Sequence, residues 1–225
     1  SLDLNVDVNV QSGSVEYRGV VIDKPQLQAS IRQDAITVSR FRAGDPQGGE
    51  INVTGMVREF SSAPRFDLRL GAEQIDLDFW QKVAGTSGFM VEDKLSFSGV
   101  IEGALEDLGL DFSADLGGLN AAIRGRVKTG QDEGPSLDLA LQAVHPNLVS
   151  LLNKFKVLSV EPGQDASAVR ADFRVKGNAD DFTLSGQLGT KDGSFTVAID
   201  QNTQNAQNAL IASLKGQGEH LTDFI

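Results

Sequence analysis

The first ten residues alternate between apolar and polar side chains without interruption. Leu2, Leu4, Val6, Val8 and Val10 are apolar, and every residue between them is Asp or Asn. A period of two residues is typical of a β-strand that buries one face and solvates the other. The chain therefore begins with a predicted strand, and the N-terminus is expected to be a cut through a longer protein.

The same alternation returns at roughly fourteen segments along the chain. Open sheets of more than about ten strands usually curl or split. A sheet that is apolar on one face hides that face by curling, by packing on a second sheet or by lying under helices. We therefore predict a mostly β fold, built as an elongated, curved, repeat-built antiparallel sheet, trough-like or sandwich-like, with two or three short α-helices.

The predicted helices lie where the period of two changes to helical spacing. Residues 75–83 and 147–155 have apolar side chains at i, i+3 and i+4. Pro146 suits a first helical position in the second of these segments. A third helix is predicted within 201–215, where Ala and Leu recur at helical spacing.

Composition excludes several function classes. The chain has 20 Lys and Arg against 31 Asp and Glu, a net charge of −11, which argues against nucleic-acid binding and against a polybasic membrane patch. It has no Cys and only two His, and it lacks the motifs of known nucleophile and phosphate sites. We therefore predict that the chain is not an enzyme and has no cofactor and no metal site. Acidic pairs such as Asp76 and Asp78 are interpreted as solvated charge.

An internal repeat relates the segments that lead into the first two predicted helices. At an offset of 71 residues, six identical pairs align the segment that begins at Pro64 with the segment that begins at Pro135. A glycine-centred pattern, as in Val53-x-Gly55-x-Val57, recurs nearby. Repetition of one supersecondary unit indicates an array. The predicted units are 1–88 and 89–158, each a β-meander with a helix, and 159–225, a partial third unit.

These segments resemble the repeat of the AsmA-like proteins of Gram-negative bacteria. The resemblance rests on Gly48-Gly49 followed by the strand that contains Gly55, on Pro64-Arg65-Phe66-Asp67-Leu68, and on the helix entry after Ile75. Val144-His145-Pro146-Asn147-Leu148 is similar to the helix entry of the larger members of that family. The similarity spans most of residues 1–200.

The resemblance implies a location and a role. AsmA-like proteins are anchored in the inner membrane, have long periplasmic portions and are implicated in outer-membrane biogenesis. The large members are thought to carry phospholipids along a β-sheet groove. By this resemblance the chain is a periplasmic segment of a larger, inner-membrane-anchored protein. Its partners would be phospholipid or another acyl-chain ligand, and envelope proteins or other segments of the parent chain. No transmembrane segment is predicted within the chain itself.

The candidate lipid contacts are apolar residues of the alternating strands. Each would contribute apolar area removed from water on binding, at about 25 cal/mol per Å². They are Leu2, Val6, Ile51, Val53, Phe66, Leu68, Phe97, Ile101, Leu137, Leu139, Phe173 and Leu184. The alternative is a structural or interaction module whose apolar face is a fully packed core without a lipid site.

Two single residues carry competing interpretations. Trp80 packs the first helix onto the sheet or anchors a ligand. His145 caps the second helix or lies on the surface.

Overall fold

The computed structural model describes residues 5–85, 93–129, 134–147, 149–151, 167–178, 181–191, 193–202 and 209–218. These residues form a mostly β, antiparallel fold, as predicted, and the number of strands in them is fourteen. The chain divides into two compact units, Ser1–Gly117 and Gly118–Ile225. The predicted division into three repeats is a division by sequence and stays a prediction.

Eight strands and a helix belong to the first unit. They are β1 (Asn5–Gln11), β2 (Ser14–Tyr17), β3 (Val20–Arg32), β4 (Ala35–Gly44), β5 (Glu50–Arg58), β6 (Arg65–Asp76), α1 (Leu77–Ala84), β7 (Lys94–Ala104) and β8 (Asp107–Leu116). The strands pair in the order β1-β3-β4-β5-β6-β7-β8, and β2 pairs with β3 beyond the end of β1.

The second unit is a meander of six strands. They are β9 (Leu119–Thr129), β10 (Pro135–His145), β11 (Val169–Gly177), β12 (Asp181–Thr190), β13 (Gly193–Asn202) and β14 (Ala209–Gly218). Each strand pairs antiparallel with the next one along the chain. The strands in both units are therefore joined by local connections, as the repeated alternation indicates.

The first predicted helix, 75–83, corresponds to α1. The Asp76 carboxylate accepts a hydrogen bond from the backbone N–H of Phe79 at 3.1 Å, which satisfies one free donor of the first turn. The helix ends at Gly85, whose φ of 74° is in the left-handed region that glycine adopts without a steric penalty. Local cap chemistry thus sets both ends of α1.

The second predicted helix begins as expected, but Pro146 does not occupy its first turn. Asn147 is the N-cap: its side-chain oxygen accepts from the backbone N–H of Ser150 at 2.9 Å, and its carbonyl accepts from Leu151 at 3.1 Å. Pro146 therefore precedes the cap, where its missing N–H costs no hydrogen bond. Residue 148 and residues 152–155 of this prediction lie outside the described residues.

The prediction of a helix within 201–215 is wrong for residues 201–202 and 209–215, which are strand, and residues 203–208 lie outside the described residues. The backbone from Ala209 to Gly218 is strand β14, which pairs along its whole length with β13. The spacing of Ala and Leu in this segment is also compatible with a helix, but the edge of β13 offers ten residues of ladder hydrogen bonds. Pairing to that edge decides the conformation.

Left-handed glycines recur inside alternate strands. Gly55 in β5 has φ of 135° and Gly125 in β9 has φ of 150°. A Cβ at Gly55 would overlap the carbonyl oxygen of Asp67, and a Cβ at Gly125 would overlap that of Asp138. Two further glycines, in β7 and β11, make the same approach to an Asp of the following strand; they are Gly103 and Gly177. Only glycine combines this φ with so close an approach.

We expect Gly125→Ala to lower the free energy of unfolding by about 2 kcal/mol or more, because alanine would be strained at this φ and would push β10 away. Gly189→Ala is the matched control in the same unit, since Gly189 has open space at its Cβ position and an ordinary φ. Urea unfolding followed by far-UV circular dichroism compares the two variants. Equal midpoints for both would show that the left-handed glycines are not required.

Candidate functional site

Cross-strand register brings the apolar side chains of the first unit to one face. Residues that are direct partners in an antiparallel pair point to the same side of the sheet. One row of partners crosses seven strands: it runs from Val8 through Ala29, Val38, Gly55, Leu68 and Ile101 to Leu110. Neighbouring rows on the same side are also apolar, for example Val53 with Leu70. We call this surface the apolar face of the first unit.

The second unit has an equivalent apolar face. One of its rows runs from Gly125 through Leu139, Val175 and Leu184 to Ile199. Leu68 and Leu139, which the repeat aligns, both pair with a left-handed glycine. The repeat found in the sequence therefore recurs as the same strand pairing.

Eleven of the twelve predicted contact residues lie on these faces. The apolar face of the first unit includes Val6, Ile51, Val53, Phe66, Leu68, Phe97 and Ile101. That of the second unit includes Leu137, Leu139, Phe173 and Leu184. Leu2 lies outside the described residues.

The large side chains of the apolar faces are only half-buried. All eleven placed candidates keep part of their surface exposed to solvent. The buried apolar residues of the described chain are Ala43, Ala72, Ile75 and Val169. A sheet packed face to face on another would bury its inner residues. The partial exposure of these side chains is therefore typical of a single sheet that has no second sheet packed on its apolar face.

Burial concentrates at one end of each face, where a helix begins. Ala43 and Ala72 flank Ile51 in a row close to Ile75, just before α1. In the second unit, Val169 pairs with His145, two residues before the cap of the second helix. The residues of each face are thus most buried near the start of the helix and more exposed along the rest of the strands.

Aromatic rings cover two glycines of these faces. A Cβ at Gly99 would overlap the ring of Phe112, and a Cβ at Gly186 would overlap the ring of Phe173. Each pair is in direct cross-strand register. Phe173, a predicted lipid contact, therefore also fills the space above Gly186 and helps to pin the strand register.

The opposite face of each unit is polar. In the first unit the row next to Leu68 contains Thr37, Met56, Asp67 and Glu102. In the second unit, Arg174 donates two hydrogen bonds to the Asp138 carboxylate, at 2.9 and 3.0 Å. Exposed pairs of this kind contribute little stability, but they keep this face solvated.

The ion pair between Arg170 and Asp172 on this polar face shifts the pKa of both residues. The hydrogen bond from Arg170 lowers the pKa of Asp172, and the same bond raises the pKa of Arg170. The Arg170 Nε lies 2.7 Å from the Asp172 carboxylate. Both groups are therefore ionised at neutral pH, and the pair is a surface feature rather than an acid–base site.

A buried carboxylate that the sequence analysis missed fixes the position of α1. Asp45 is 2% exposed. Its carboxylate accepts backbone hydrogen bonds from Gln47 and Gly49 within its own turn, and a third from Asp76, the N-cap of α1, each at 2.9 Å. The signal was available in Asp45-Pro46, since Asp before Pro favours an Asx turn. Its distant partner was not visible in the sequence.

A polar cavity of about 260 Å³ lies beside this turn. Its lining includes Lys24, Arg42 and Glu50, and Arg42 forms an ion pair with Glu50. None of the predicted lipid contacts lines it. Its charged walls do not suit acyl chains.

The His145 side chain is buried, so His145 is not a surface residue. Its Nδ1 lies 3.1 Å from the backbone N of Asn147, the cap of the second helix. Neighbouring strand residues cover the ring, because His145 lies on the apolar face opposite Val169. The surface interpretation is therefore wrong. Asn147 itself caps the second helix, and His145 contacts the backbone of that cap residue.

Trp80 is half-buried on α1, where its ring stands edge-on to Phe79 at 5.3 Å. The helix contacts β3 and β6. The indole Nε1 of Trp80 is buried and lacks a hydrogen-bond partner in the described part of the chain.

Comparison of the chain with protein-family models, with curated proteins and with solved structures finds no match in any of the three. Among the described residues, no group of three or more His, Cys, Asp or Glu side chains is placed to hold a metal ion. Every helix in the described ranges is too short or too polar to cross a bilayer.

We expect Asp45→Ala to destabilise the first unit by about 3 kcal/mol or more, because three backbone N–H groups, of which that of Gly49 is buried, would lose their acceptor. Asp78→Ala, an exposed acidic residue of the first turn of α1, is the control and is expected to change stability by less than about 1 kcal/mol. Urea unfolding followed by the fluorescence of Trp80, the single Trp of the chain, reports on this unit. Equal midpoints for the two variants would contradict the assigned role.

Proposed function

We propose that the chain binds the acyl chains of phospholipids on the apolar faces of its two units, as a non-enzymatic, periplasmic segment of an AsmA-like protein. Its role would be phospholipid handling or transport in outer-membrane biogenesis. The proposal assigns no catalytic residue, because binding by apolar contact needs none.

The observation that carries the proposal is the partial exposure of the large apolar side chains. Leu68 and Ile101 are direct cross-strand partners, Phe97 lies four residues before Ile101 on the same face, and each keeps part of its surface in water. Covering such surface is worth about 25 cal/mol per Å², and each methylene of an acyl chain buried there gains about 0.8 kcal/mol. An acyl chain can therefore bind on this face without any specific polar contact.

The dimensions of the strands suit this ligand. A strand of ten residues is about 33 Å long. The hydrocarbon core of a bilayer is about 30 Å thick and holds two layers of chains, so one acyl chain is about 15 Å long. A face bounded by such strands has room for a whole acyl chain with its headgroup at a strand end.

The fold of the segments that carry the family resemblance also supports the proposal. Gly48-Gly49 lies at the turn into β5, Gly55 pairs with Leu68 of β6, and β6 leads directly into α1. The resemblance thus involves one continuous structural element. The periplasmic location and the partner proteins rest on that resemblance alone.

The alternative function is a structural or interaction module with a fully packed apolar face. It requires the large side chains of the face to be buried. Partial exposure of all eleven placed candidates favours lipid binding over this alternative.

Neighbouring residues of β7 provide the test. Ile101 lies on the apolar face as the partner of Leu68, and Val100 lies on the opposite face as the partner of Arg69. We expect Ile101→Asp to abolish co-purifying phospholipid, because a carboxylate on the apolar face cannot be desolvated by acyl chains. Val100→Asp adds the same charge to the same strand and is expected to retain the lipid.

The measurement is native mass spectrometry of detergent-free protein, with lipid extraction from the same preparation and circular dichroism to confirm folding. Bound phospholipid in wild type and Val100→Asp, and its loss in Ile101→Asp, is the expected result. A wild-type protein that stays lipid-free after incubation with vesicles would favour the packed module.

A further inference from the structure

The first unit carries a two-stranded arm that extends beyond its sheet. The hairpin of β2 and the start of β3 pairs from Ser14 opposite Asp23 to Tyr17 opposite Val20. The pairing of β3 with β4 ends at Asp23 opposite Gly44, so residues 20–22 have ladder partners only in β2. We call residues 14–23 the hairpin arm.

The arm exposes three large apolar side chains to solvent. Val15, Tyr17 and Val21 are 43%, 47% and 49% exposed. Val15 and Tyr17 point to one side of the ribbon, and Val21, the partner of Glu16, points to the other. A two-stranded ribbon is marginally stable alone, and clustered exposed apolar residues mark interaction surfaces.

The arm lies against the C-terminal end of α1. A Cβ at Gly85, the C-cap, would overlap the Arg18 guanidinium, and Arg18 lies 5.3 Å from the centre of the Tyr17 ring. Arg18 therefore joins the tip of the arm to the helix end, where a cation is favoured. The same end of the unit thus holds Tyr17 and, on α1, Trp80, the single Tyr and the single Trp of the chain.

We propose that the hairpin arm and α1 dock this unit onto a phospholipid membrane surface, an inference that rests on the proposed lipid-binding function. Tyr17, which is 47% exposed, has an apolar body and a polar tip, and such a side chain suits the membrane–water interface. A protein that takes up acyl chains must meet the bilayer that supplies them. The arm offers apolar residues on both sides of a narrow projecting ribbon, which can enter the headgroup layer.

The charge of this region fits an anionic bilayer better than the rest of the unit does. Residues 1–117 contain ten basic and nineteen acidic residues. The arm with Lys24 and α1 contain three basic residues, Arg18, Lys24 and Lys82, and three acidic ones, Glu16, Asp23 and Asp78. This region is therefore neutral in an acidic unit, and its repulsion from an anionic surface is weaker than that of the unit as a whole.

Two exposed valines allow a matched test. Val21 lies on the arm, and Val144, 43% exposed, lies on β10 of the second unit. We expect Val21→Asp to weaken binding to vesicles of phosphatidylethanolamine and phosphatidylglycerol by about tenfold or more, since it replaces an inserted apolar group by a charge. Val144→Asp should bind like wild type. If an Asp variant fails to fold, the isosteric pair Val21→Thr and Val144→Thr replaces it.

Vesicle co-sedimentation measures the affinity, and quenching of Trp80 by brominated acyl chains reports whether α1 lies at the bilayer. Native mass spectrometry of Val21→Asp separates docking from lipid binding: the variant should lose vesicle affinity and keep its bound phospholipid. Wild-type protein that does not sediment with vesicles, or equal affinities for both variants, would overturn docking and leave lipid binding standing. Membrane docking would also be overturned if Val21→Asp lost both its vesicle affinity and its bound lipid. It would be overturned as well if the wild-type protein formed a dimer without lipid and Val21→Asp dissociated that dimer.

Discussion

Cross-strand hydrogen bonding holds this structure to one register, and the apolar faces depend on that register. In a single-layer sheet, no second layer packs against the strands, so packing between layers does not oppose a change in strand register. A shift of one residue would move every side chain of that strand to the other face. The row from Val8 to Leu110 therefore exists only while six neighbouring pairings keep their alignment.

Several local features keep the alignment. Gly55 and Gly125 bring a neighbouring strand too close for any side chain. Phe112 and Phe173 lie over glycines of adjacent strands, which fixes the position of each pair along the ladder. At the helix end, the Asp45 carboxylate joins the turn before β5 to the start of α1. The two Phe rings cover only the glycines beneath them, and the Asp45 contact lies at the helix end, so most of each apolar face stays partly exposed.

Periodicity alone predicted the class of the fold and the placement of eleven candidate residues, because a period of two residues fixes which side chains share a face. It also located α1, since the spacing from Ile75 to Val83 changes to the helical one. Strand β14 was missed because its conformation depends on the edge of β13 and not on its own sequence. The contact of Asp45 with Asp76 was missed because the two are far apart in sequence. Whether the faces are covered depends on packing partners, which alternation does not encode.

Site-specific photocrosslinking along β6 is the decisive test of lipid binding by the apolar face. A photoreactive phenylalanine analogue placed in turn at positions 66, 67, 68, 69 and 70 samples both faces of one strand. If acyl chains bind this face, lipid crosslinks are expected at Phe66, Leu68 and Leu70, whose side chains lie on it, and none at Asp67 and Arg69. Equal crosslinking at all five positions, or none at any, would contradict acyl-chain binding by the apolar face.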